Sequence, residues 1–313
     1  MKYSVVVPFY NEERNVTELY IQAKTVMEMA SDDFEFVFVD DGSTDRTFAI
    51  LSEIADLDER VTVVQLRRNY GKVEAQVAGF DHSVGDCIIT MYGDLQHDPH
   101  DLPHFLRRLE EGYEVVCARR LWPAGLAAIT KQIPLRIMNR LLAKASGVEL
   151  HDFRSDFKAF RSDLVRQIPL YGELQRFIPA SALACGARVC EVPIYVPQLD
   201  KGKTQHGIGH PMPGLFDLLT IPFLLRSASL PVRFFGQLSL GGFLGALGVT
   251  ASLLAAWSLI DGHGILLVLA AAFLMAALQV MCLGLVGGMM VGHYHQGAEV
   301  RRKSEVLRVT RRI

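Results

Sequence analysis

The stretch Cys87-Ile88-Ile89-Thr90-Met91-Tyr92-Gly93-Asp94-Leu95-Gln96-His97-Asp98-Pro99 joins an apolar run to a polar turn. The run is typical of a buried strand and ends in Gly93, and a carboxylate at Asp94 and an amide at Gln96 follow it. Ligands of an open α/β sheet bind beyond the carboxyl ends of its strands. Because oxygen ligands suit Mg²⁺ or Mn²⁺ carrying phosphates, the stretch predicts a site for a divalent metal and an anionic ligand. Plain turn chemistry is the alternative interpretation of Asp-x-Gln.

Alternating strands and helices surround this stretch. Apolar, β-branched runs predict four more strands, at residues 3–8, 34–39, 61–66 and 115–118. Apolar stripes at helical spacing predict a helix after each of the first four strands in chain order. This order predicts an α/β fold with a mostly parallel sheet and helices on both faces.

The pattern loosens after Arg119. We predict an amphipathic helix over Lys131–Ala145, a polar turn over His151–Arg161 and a helix over Glu173–Ala184. Val189–Val196 is predicted to be a strand near an edge of the sheet, because it contains Pro193. A basic, glycine-rich loop follows at residues 199–209.

Composition excludes several classes of protein. The formal net charge of −2 over 313 residues gives no electrostatic footprint for nucleic acid, so no nucleic-acid partner is expected. The five cysteines are scattered, with no Cys-x-x-Cys pair. That distribution favours a reducing compartment over a disulfide framework or a zinc site.

Two long uncharged segments lie near the C-terminus. Residues 234–260 and 265–292 contain no charged side chain, and each exceeds the ~20 residues that cross a bilayer. The short Asp261–Gly264 connection predicts a two-helix transmembrane hairpin, and a buried helical pair of a soluble protein is the alternative. Basic residues flank both ends of the hairpin, so the positive-inside rule places both on the cytoplasmic side.

We therefore expect a multi-pass protein of the cytoplasmic (inner) membrane with four parts: a cytoplasmic domain over residues 1–210, interfacial amphipathic helices over 211–233, the hairpin over 234–292 and a basic cytoplasmic tail over 293–313. Glycines recur at four-residue spacing within the hairpin, at Gly241 and Gly245 and from Gly284 onward. Such stripes allow close helix packing, either within the hairpin or between subunits of a homo-oligomer.

A second acidic motif, Asp40-Asp41, follows the second predicted strand. Such a pair resembles the ribose-binding acid of a dinucleotide fold. The first turn, Pro8-Phe9-Tyr10-Asn11-Glu12, however lacks the glycines that bring a backbone close to a pyrophosphate, which argues against NAD or FAD. Carboxylates at the ends of strands two and four instead suit a nucleoside and its metal-bound diphosphate.

Five ordered motifs carry a resemblance to a known family. They are Val5-Val6-Val7-Pro8-Phe9-Tyr10-Asn11-Glu12-Glu13, Val39-Asp40-Asp41-Gly42-Ser43-Thr44-Asp45-Arg46-Thr47, Asn69-Tyr70-Gly71-Lys72, Gly93-Asp94-Leu95-Gln96-His97-Asp98-Pro99 and Glu173-Leu174-Gln175-Arg176-Phe177-Ile178-Pro179. With these motifs the sequence resembles family 2 glycosyltransferases, which have the GT-A fold. The predicted hairpin narrows the resemblance to the polyprenyl-phosphate branch, similar to dolichol-phosphate mannose synthases and undecaprenyl-phosphate sugar transferases.

The resemblance implies a role for individual residues. Nucleoside and donor contacts fall on Pro8, Tyr10, Glu12, Asp40, Asp41 and Gly93. The metal, Mg²⁺ or Mn²⁺, would be held by Asp94 and Gln96, with Arg119 on the diphosphate and Asp152 near the acceptor and sugar. Acceptor contacts are implied at Arg161 and Arg176. The structural alternatives are a core position for Tyr10, a helix-cap contact for Asp40 and solvated helix faces for Arg161 and Arg176.

Two departures from the family pattern affect these roles. Tyr92 stands where the family's Asp-x-Asp-x-Gln motif has its first carboxylate. The family's basic loop falls on residues 199–205, where its Arg and Lys are absent and Lys201 and Lys203 supply charge from neighbouring positions.

The implied reaction is inverting transfer of a sugar from a UDP- or GDP-linked donor to a polyprenyl phosphate. Two alternatives stay open, a catalytically degenerate membrane scaffold and a transferase for another lipid or glycan. A processive polysaccharide synthase is disfavoured, because a single hairpin offers no channel and no Gln-x-x-Arg-Trp motif is present.

Overall fold

The computed structural model describes residues 1–121, 150–152, 155–167, 178–184, 186–195, 231–255, 268–286 and 306–310. The chain divides into two compact units, one formed by residues 1–215 and 302–313 and the other by residues 216–301. The predicted helix over 131–145, the basic loop over 199–209 and the interfacial segment up to residue 230 lie outside the described residues, as do residues 173–177.

The first unit is built on a sheet that has eight strands within the described residues. Their order is β7-β5-β6-β4-β1-β2-β3-β8. Six strands run in one direction, and β6 and β8 run in the other. The strands are β1 (Tyr3–Phe9), β2 (Phe34–Asp40), β3 (Val61–Leu66), β4 (Cys87–Thr90), β5 (Val115–Leu121), β6 (Lys158–Arg161), β7 (Val189–Tyr195) and β8 (Val306–Thr310).

Helices follow the first four strands, as predicted. They are α1 (Val16–Ala30), α2 (Thr47–Leu57), α3 (Lys72–His82) and α4 (Leu102–Glu110), the last preceded by a 3₁₀ turn at Pro99–Asp101. Two shorter helices, α5 (Ser162–Gln167) and α6 (Ile178–Ala184), lie between β6 and β7 in the chain.

The helices cover both faces of the sheet. Val5, Val7 and Phe9 of β1 belong to the same buried cluster as the apolar residues of α1, α2 and α4. Val6 points to the other face, where a Cβ added to Gly79 of α3 would lie 2.3 Å from its Cγ1. Successive strand residues point to opposite faces, so the alternation in β1 requires a helix layer on each side. The predicted two-sided α/β architecture is confirmed.

Two segments differ from the sequence-based expectations. Residues 158–161, predicted to lie in a polar turn, form β6 between β4 and β5. The sequence did not predict this strand because Lys158 places a charged side chain in its apolar run. In the structure Lys158 is only 1% exposed. The tail carries β8, which pairs antiparallel with β3 and covers that edge of the sheet. Val189–Tyr195 lies at the other edge, as its proline predicts.

The second unit contains two described helices, α7 (Pro231–Ala255) and α8 (Val268–Val286). Within the described residues, α8 alone is long and apolar enough to span a bilayer. Only 17% of its most apolar stretch is buried. A Cβ on Gly242 would lie 3.1 Å from Cβ of Ala277, and one on Gly284 would lie 2.5 Å from Cβ of Phe235. The two helices therefore pack against each other in opposite directions. A Cβ on Gly241 or Gly245 meets no atom within 4 Å.

Candidate active site

The carboxyl ends of β1 and β2 carry two loops that fix one another. The backbone N–H of Asn11 donates to Oγ of Ser43 at 3.0 Å, and the N–H of Thr44 donates to Oδ1 of Asn11 at 2.8 Å. Asn11 adopts a φ of +55°, which asparagine tolerates better than most residues. The N–H of Glu12 donates to Oγ1 of Thr47, so the first turn is held against the start of α2.

Asp41 anchors a third loop to the same edge of the sheet. Its two carboxylate oxygens accept the N–H groups of Tyr70 and Gly71 at 2.8 and 3.0 Å. Gly42 makes this contact possible, because it has a φ of +66° and a Cβ there would lie 2.4 Å from the backbone carbon of Arg68. Burial raises the pKa of Asp41 to about 6 despite these two hydrogen bonds.

Asp40 lies beneath this loop and is fully buried. Its Oδ1 accepts the N–H of Ser43 at 3.2 Å, whereas Oδ2 has no hydrogen-bond partner among the described residues. Burial also raises the pKa of Asp40. An orphaned carboxylate oxygen at the end of β2 is suited to a ligand that donates hydrogen bonds, as a ribose hydroxyl does.

The Asp94 turn follows β4. Oδ1 of Asp94 accepts the N–H of Gln96 at 3.1 Å, and Leu95 between them has a φ of +58°. Gly93 packs directly on the ring of Phe9, where a Cβ would lie only 2.2 Å from Cδ1. Residue 93 must be glycine because its backbone lies against the Phe9 ring. The buried ring therefore fixes the position of the Asp94 turn relative to the sheet.

Tyr92 occupies the position of the missing carboxylate and belongs to an aromatic stack. Its ring stacks on His97 at a centroid distance of 5.5 Å, and His97 stacks on Phe157 at 5.0 Å. The N–H of Tyr92 donates to Nδ1 of His97 at 3.3 Å. Burial lowers the pKa of His97 to about 4, so the imidazole is neutral and can accept this hydrogen bond at physiological pH.

A lysine and an aspartate meet beside Tyr92. Nζ of Lys72 lies 3.1 Å from Oδ2 of Asp156 and 5.0 Å from the centroid of the Tyr92 ring. Thr90 at the end of β4 donates its hydroxyl to the carbonyl of Asp156 at 2.9 Å. Burial alone would raise the pKa of Asp156, but Lys158 and Lys72 outweigh it and hold the pKa below its ordinary value.

Asp152 is fixed from two sides. Its carboxylate accepts two hydrogen bonds from the guanidinium of Arg120, with Nε to Oδ2 at 2.7 Å and Nη2 to Oδ1 at 3.0 Å. Glu191 of β7 accepts the N–H groups of His151 and Asp152 at 2.6 and 3.0 Å. The bidentate pair fixes the orientation of Asp152, and Glu191 fixes its backbone.

The structure brings together most of the described residues that the sequence singled out. Pro8, Tyr10, Glu12, Asp40, Asp41, Gly93, Asp94, Gln96 and Asp152 all lie at or just beyond the carboxyl edge of the sheet, with Tyr10 43% exposed. Arg119 lies near the end of β5 and is exposed, while its neighbour Arg120 contacts Asp152. Arg176, Lys201 and Lys203 lie outside the described residues.

Arg161 does not belong to this group. Because β6 runs antiparallel, its last residue pairs with Cys87 at the amino end of β4. Arg161 therefore lies at the opposite edge of the sheet and has no place in a site at the carboxyl edge.

The residues at the Asp94 turn fit a hard divalent cation with phosphate ligands. No group of three or more His, Cys, Asp or Glu side chains that could hold a metal occurs among the described residues. Mg²⁺ is commonly bound through one or two carboxylates and completes its octahedron with substrate phosphates and water. The Asp94 carboxylate with the Gln96 amide meets that minimum.

Sequence reasoning missed Arg120, Asp156 and His97 and gave Lys72 no role of its own. The signal for Lys72 was its place in the Asn69-Tyr70-Gly71-Lys72 motif. Successive residues of a strand point to opposite faces, so Arg119 and Arg120 were expected on opposite faces of the sheet. The sequence did not indicate which of the two arginines faces the site. No local pattern marked Asp156, whose partners come from α3 and the end of β4.

The sequence matches a known family model and curated relatives over most of its length. A family model described as Glycosyl transferase family 2 matches residues 4–168. Dodecaprenyl-phosphate galacturonate synthase of Rhizobium johnstonii is 32% identical, over 95% of this chain and 89% of that protein. Undecaprenyl-phosphate 4-deoxy-4-formamido-L-arabinose transferase of Pseudomonas aeruginosa is 31% identical, over 98% and 90%. A solved glucosyl-3-phosphoglycerate synthase of Mycobacterium tuberculosis aligns at 21% identity and a TM-score of 0.48, over 65% of this chain and 74% of that one.

Proposed function

Because the chain belongs to glycosyl transferase family 2, we propose that it transfers a sugar from a nucleotide sugar to a polyprenyl phosphate at the cytoplasmic face of the inner membrane. The family makes it a glycosyltransferase, and two relatives that match nearly its whole length are named for polyprenyl-phosphate substrates. One observation carries the proposal. Asp41, Asp94 and Asp152 come from separate parts of the chain, and all three lie at the carboxyl edge of the sheet.

The nucleoside half of the donor is assigned to the loops after β1 and β2. Asp40 offers its orphaned Oδ2 to a ribose hydroxyl, and the exposed Tyr10 offers a ring face to a base. The hydrogen bonds between these loops hold the pocket in shape before the donor arrives, which lowers the entropic cost of binding.

The diphosphate half is assigned to the Asp94 turn. Asp94 and Gln96 would hold Mg²⁺ or Mn²⁺, which when bound stabilises the negative charge that develops on the departing nucleoside diphosphate. Phe9 and Gly93 keep these two side chains at a fixed height above the sheet. Arg119, near the end of β5 and separated from β4 by β6, is proposed as a second contact to the diphosphate.

The acceptor phosphate is proposed to attack the anomeric carbon from the side opposite the leaving group, which inverts the configuration. A phosphate is already anionic near neutral pH and needs little help from a general base. Both carboxylate oxygens of Asp152 accept from Arg120, so its assigned role is to orient the sugar or the acceptor.

The second unit supports attachment to the membrane. Large apolar side chains on both helices are 45–71% exposed, among them Leu238, Leu247, Val268, Phe273 and Leu278. An aqueous surface rarely shows so much contiguous apolar area. The segment between β7 and β8 starts and ends in the sheet unit, so it must cross a membrane an even number of times. We propose that α8 is one span of a hairpin and that the uncharged segment of residues 234–260, which includes most of α7, is the other, preceded by the predicted interfacial helices over residues 211–233.

The direct test is transfer by the purified full-length protein to undecaprenyl phosphate. Radiolabelled UDP- and GDP-sugars are supplied in turn with Mg²⁺ or Mn²⁺, and label that enters the organic phase is counted. D94N is expected to lower the rate about 10²–10³-fold. D98N is the matched control, because Asp98 lies in the same turn but caps the following 3₁₀ turn. Equal rates in D94N and wild type, or no transfer with any donor, would contradict the proposal.

Tyr92 motivates one competing function. With a phenol in place of the family's first carboxylate, the chain could bind the donor without turning it over and serve as a membrane-bound scaffold. A metal-dependent thermal shift with nucleotide sugars, combined with an absence of transfer to any lipid, would favour that alternative.

A further inference from the structure

Lys72 lies between the two halves of the donor site. It begins α3 directly after the two N–H groups that hold Asp41. Its side chain reaches Asp156 and the ring of Tyr92, two residues before Asp94. Since β1 lies between β2 and β4 in the sheet, the contact of Lys72 with Tyr92 connects the loop that holds Asp41, after β2, to the residues that follow β4.

The chemistry of this position suits an anion. An ammonium group has three N–H donors, and the contact with Asp156 uses one of them. The Lys72 side chain is 46% exposed, so a ligand can approach it from solvent. The ring face of Tyr92 attracts a cation, and Nζ of Lys72 lies 5.0 Å from the ring centroid. At residue 92, where the family motif has its first carboxylate, this chain has a tyrosine ring in contact with Lys72.

We propose that Lys72 binds the diphosphate of the nucleotide sugar, and that Asp156 and Tyr92 hold its ammonium group in place for this contact. The inference rests on the proposed function and deepens it by assigning the diphosphate a protein cation besides the metal. Lys72 neutralises part of the charge on the diphosphate, so nucleoside diphosphates bind measurably even when divalent cations are removed.

Calorimetric titration of the full-length protein with UDP and with GDP in EDTA tests this proposal. For the nucleotide that the wild type prefers, K72M is expected to lower the affinity at least about tenfold, the loss typical of a hydrogen bond to a charged group. K72R keeps the charge and is expected to keep most of the affinity. Binding of the corresponding free nucleoside is expected to change little in either variant.

Lys24 provides a matched control. Its Nζ lies 3.1 Å from Oδ2 of Asp58 and 5.6 Å from the centroid of the Tyr20 ring, nearly the same geometry as at Lys72. Asp58 precedes β3, so this lysine lies toward the opposite edge of the sheet. K24M removes an equivalent Lys–Asp–Tyr contact and is expected to leave the affinity for the nucleoside diphosphate unchanged.

The outcomes separate this inference from the function on which it rests. If the wild type binds a nucleoside diphosphate and a folded K72M binds it equally well, the inference is wrong and the proposed function stands. If the wild type binds neither UDP nor GDP, with or without Mg²⁺, both are overturned. Thermal melting checks the fold of each variant, and K72Q, which keeps a polar side chain, replaces K72M in the titration if K72M does not fold.

Discussion

Alanine at residue 93 tests whether the packing of Phe9 sets the position of Asp94. A Cβ there would lie 2.2 Å from Cδ1 and 2.5 Å from Cε1 of the Phe9 ring. The ring is 2% exposed and meets Phe38 edge-on at a centroid distance of 5.4 Å, so it has little room to move.

The size of the effect follows from these distances. Ordinary contact begins at 3.4 Å, so the ring or the Asp94 turn must move by about 1.2 Å. Overpacking of this kind lowers the free energy of unfolding by about 1–3 kcal/mol. If the turn moves instead of the ring, Asp94 is displaced with it. A misplacement of ~1 Å can lower turnover about 10²-fold.

We expect G93A to lower both the melting temperature and kcat for transfer to undecaprenyl phosphate. Adding F9L should restore part of both, because leucine vacates the volume of the ring. G241A is the matched control, since a Cβ at Gly241 meets no atom within 4 Å. Wild-type turnover and melting in G93A, or a double variant no better than G93A, would refute the reasoning.

Three further predictions concern charge, orientation and topology. The pKa of Asp41, raised to about 6, lies above its unfolded value. Its ionised form therefore disfavours the fold at neutral pH, and its contribution to stability rises by up to about 3 kcal/mol as pH falls from 7 to 4. The melting temperature of wild type relative to D41N should accordingly increase over that range, and a constant difference would contradict this. R120M removes the two guanidinium hydrogen bonds to the buried Asp152 carboxylate and should cost about 3–5 kcal/mol of unfolding free energy. R120M/D152N should recover much of this loss, and additive losses in denaturant titrations would contradict the prediction. A cysteine at Gly262 should react with a membrane-impermeant thiol reagent in intact cells and one at Ser304 should not, and the reverse labelling would overturn the proposed topology.

The parallel centre of the sheet was predictable because its strands are continuous apolar runs. The residues of β1–β4 are almost all buried, and each strand is followed by a helix with one apolar stripe. Such local patterns also located Asp40, Asp41 and Asp94, because polar residues at the end of a buried strand must lie at the carboxyl edge.

The antiparallel strands and the partners of the site residues were not predictable in this way. Lys158 breaks the apolar pattern of β6, and β8 follows a basic stretch far along the chain from its partner β3. Arg120 and Asp156 acquire their roles from contacts across the sheet, with Asp152 and Lys72. Such contacts depend on strand order and direction, which no local sequence window contains.

The identity of the leaving group tests the central claim most directly. Mass spectrometry of a reaction that contains a nucleotide sugar, undecaprenyl phosphate and Mg²⁺ can identify both the lipid product and the released nucleotide. A site that holds the diphosphate at Asp94 and attacks the anomeric carbon predicts a nucleoside diphosphate and a sugar joined to the lipid through a single phosphate. Release of a nucleoside monophosphate with a sugar-diphosphate lipid would contradict it.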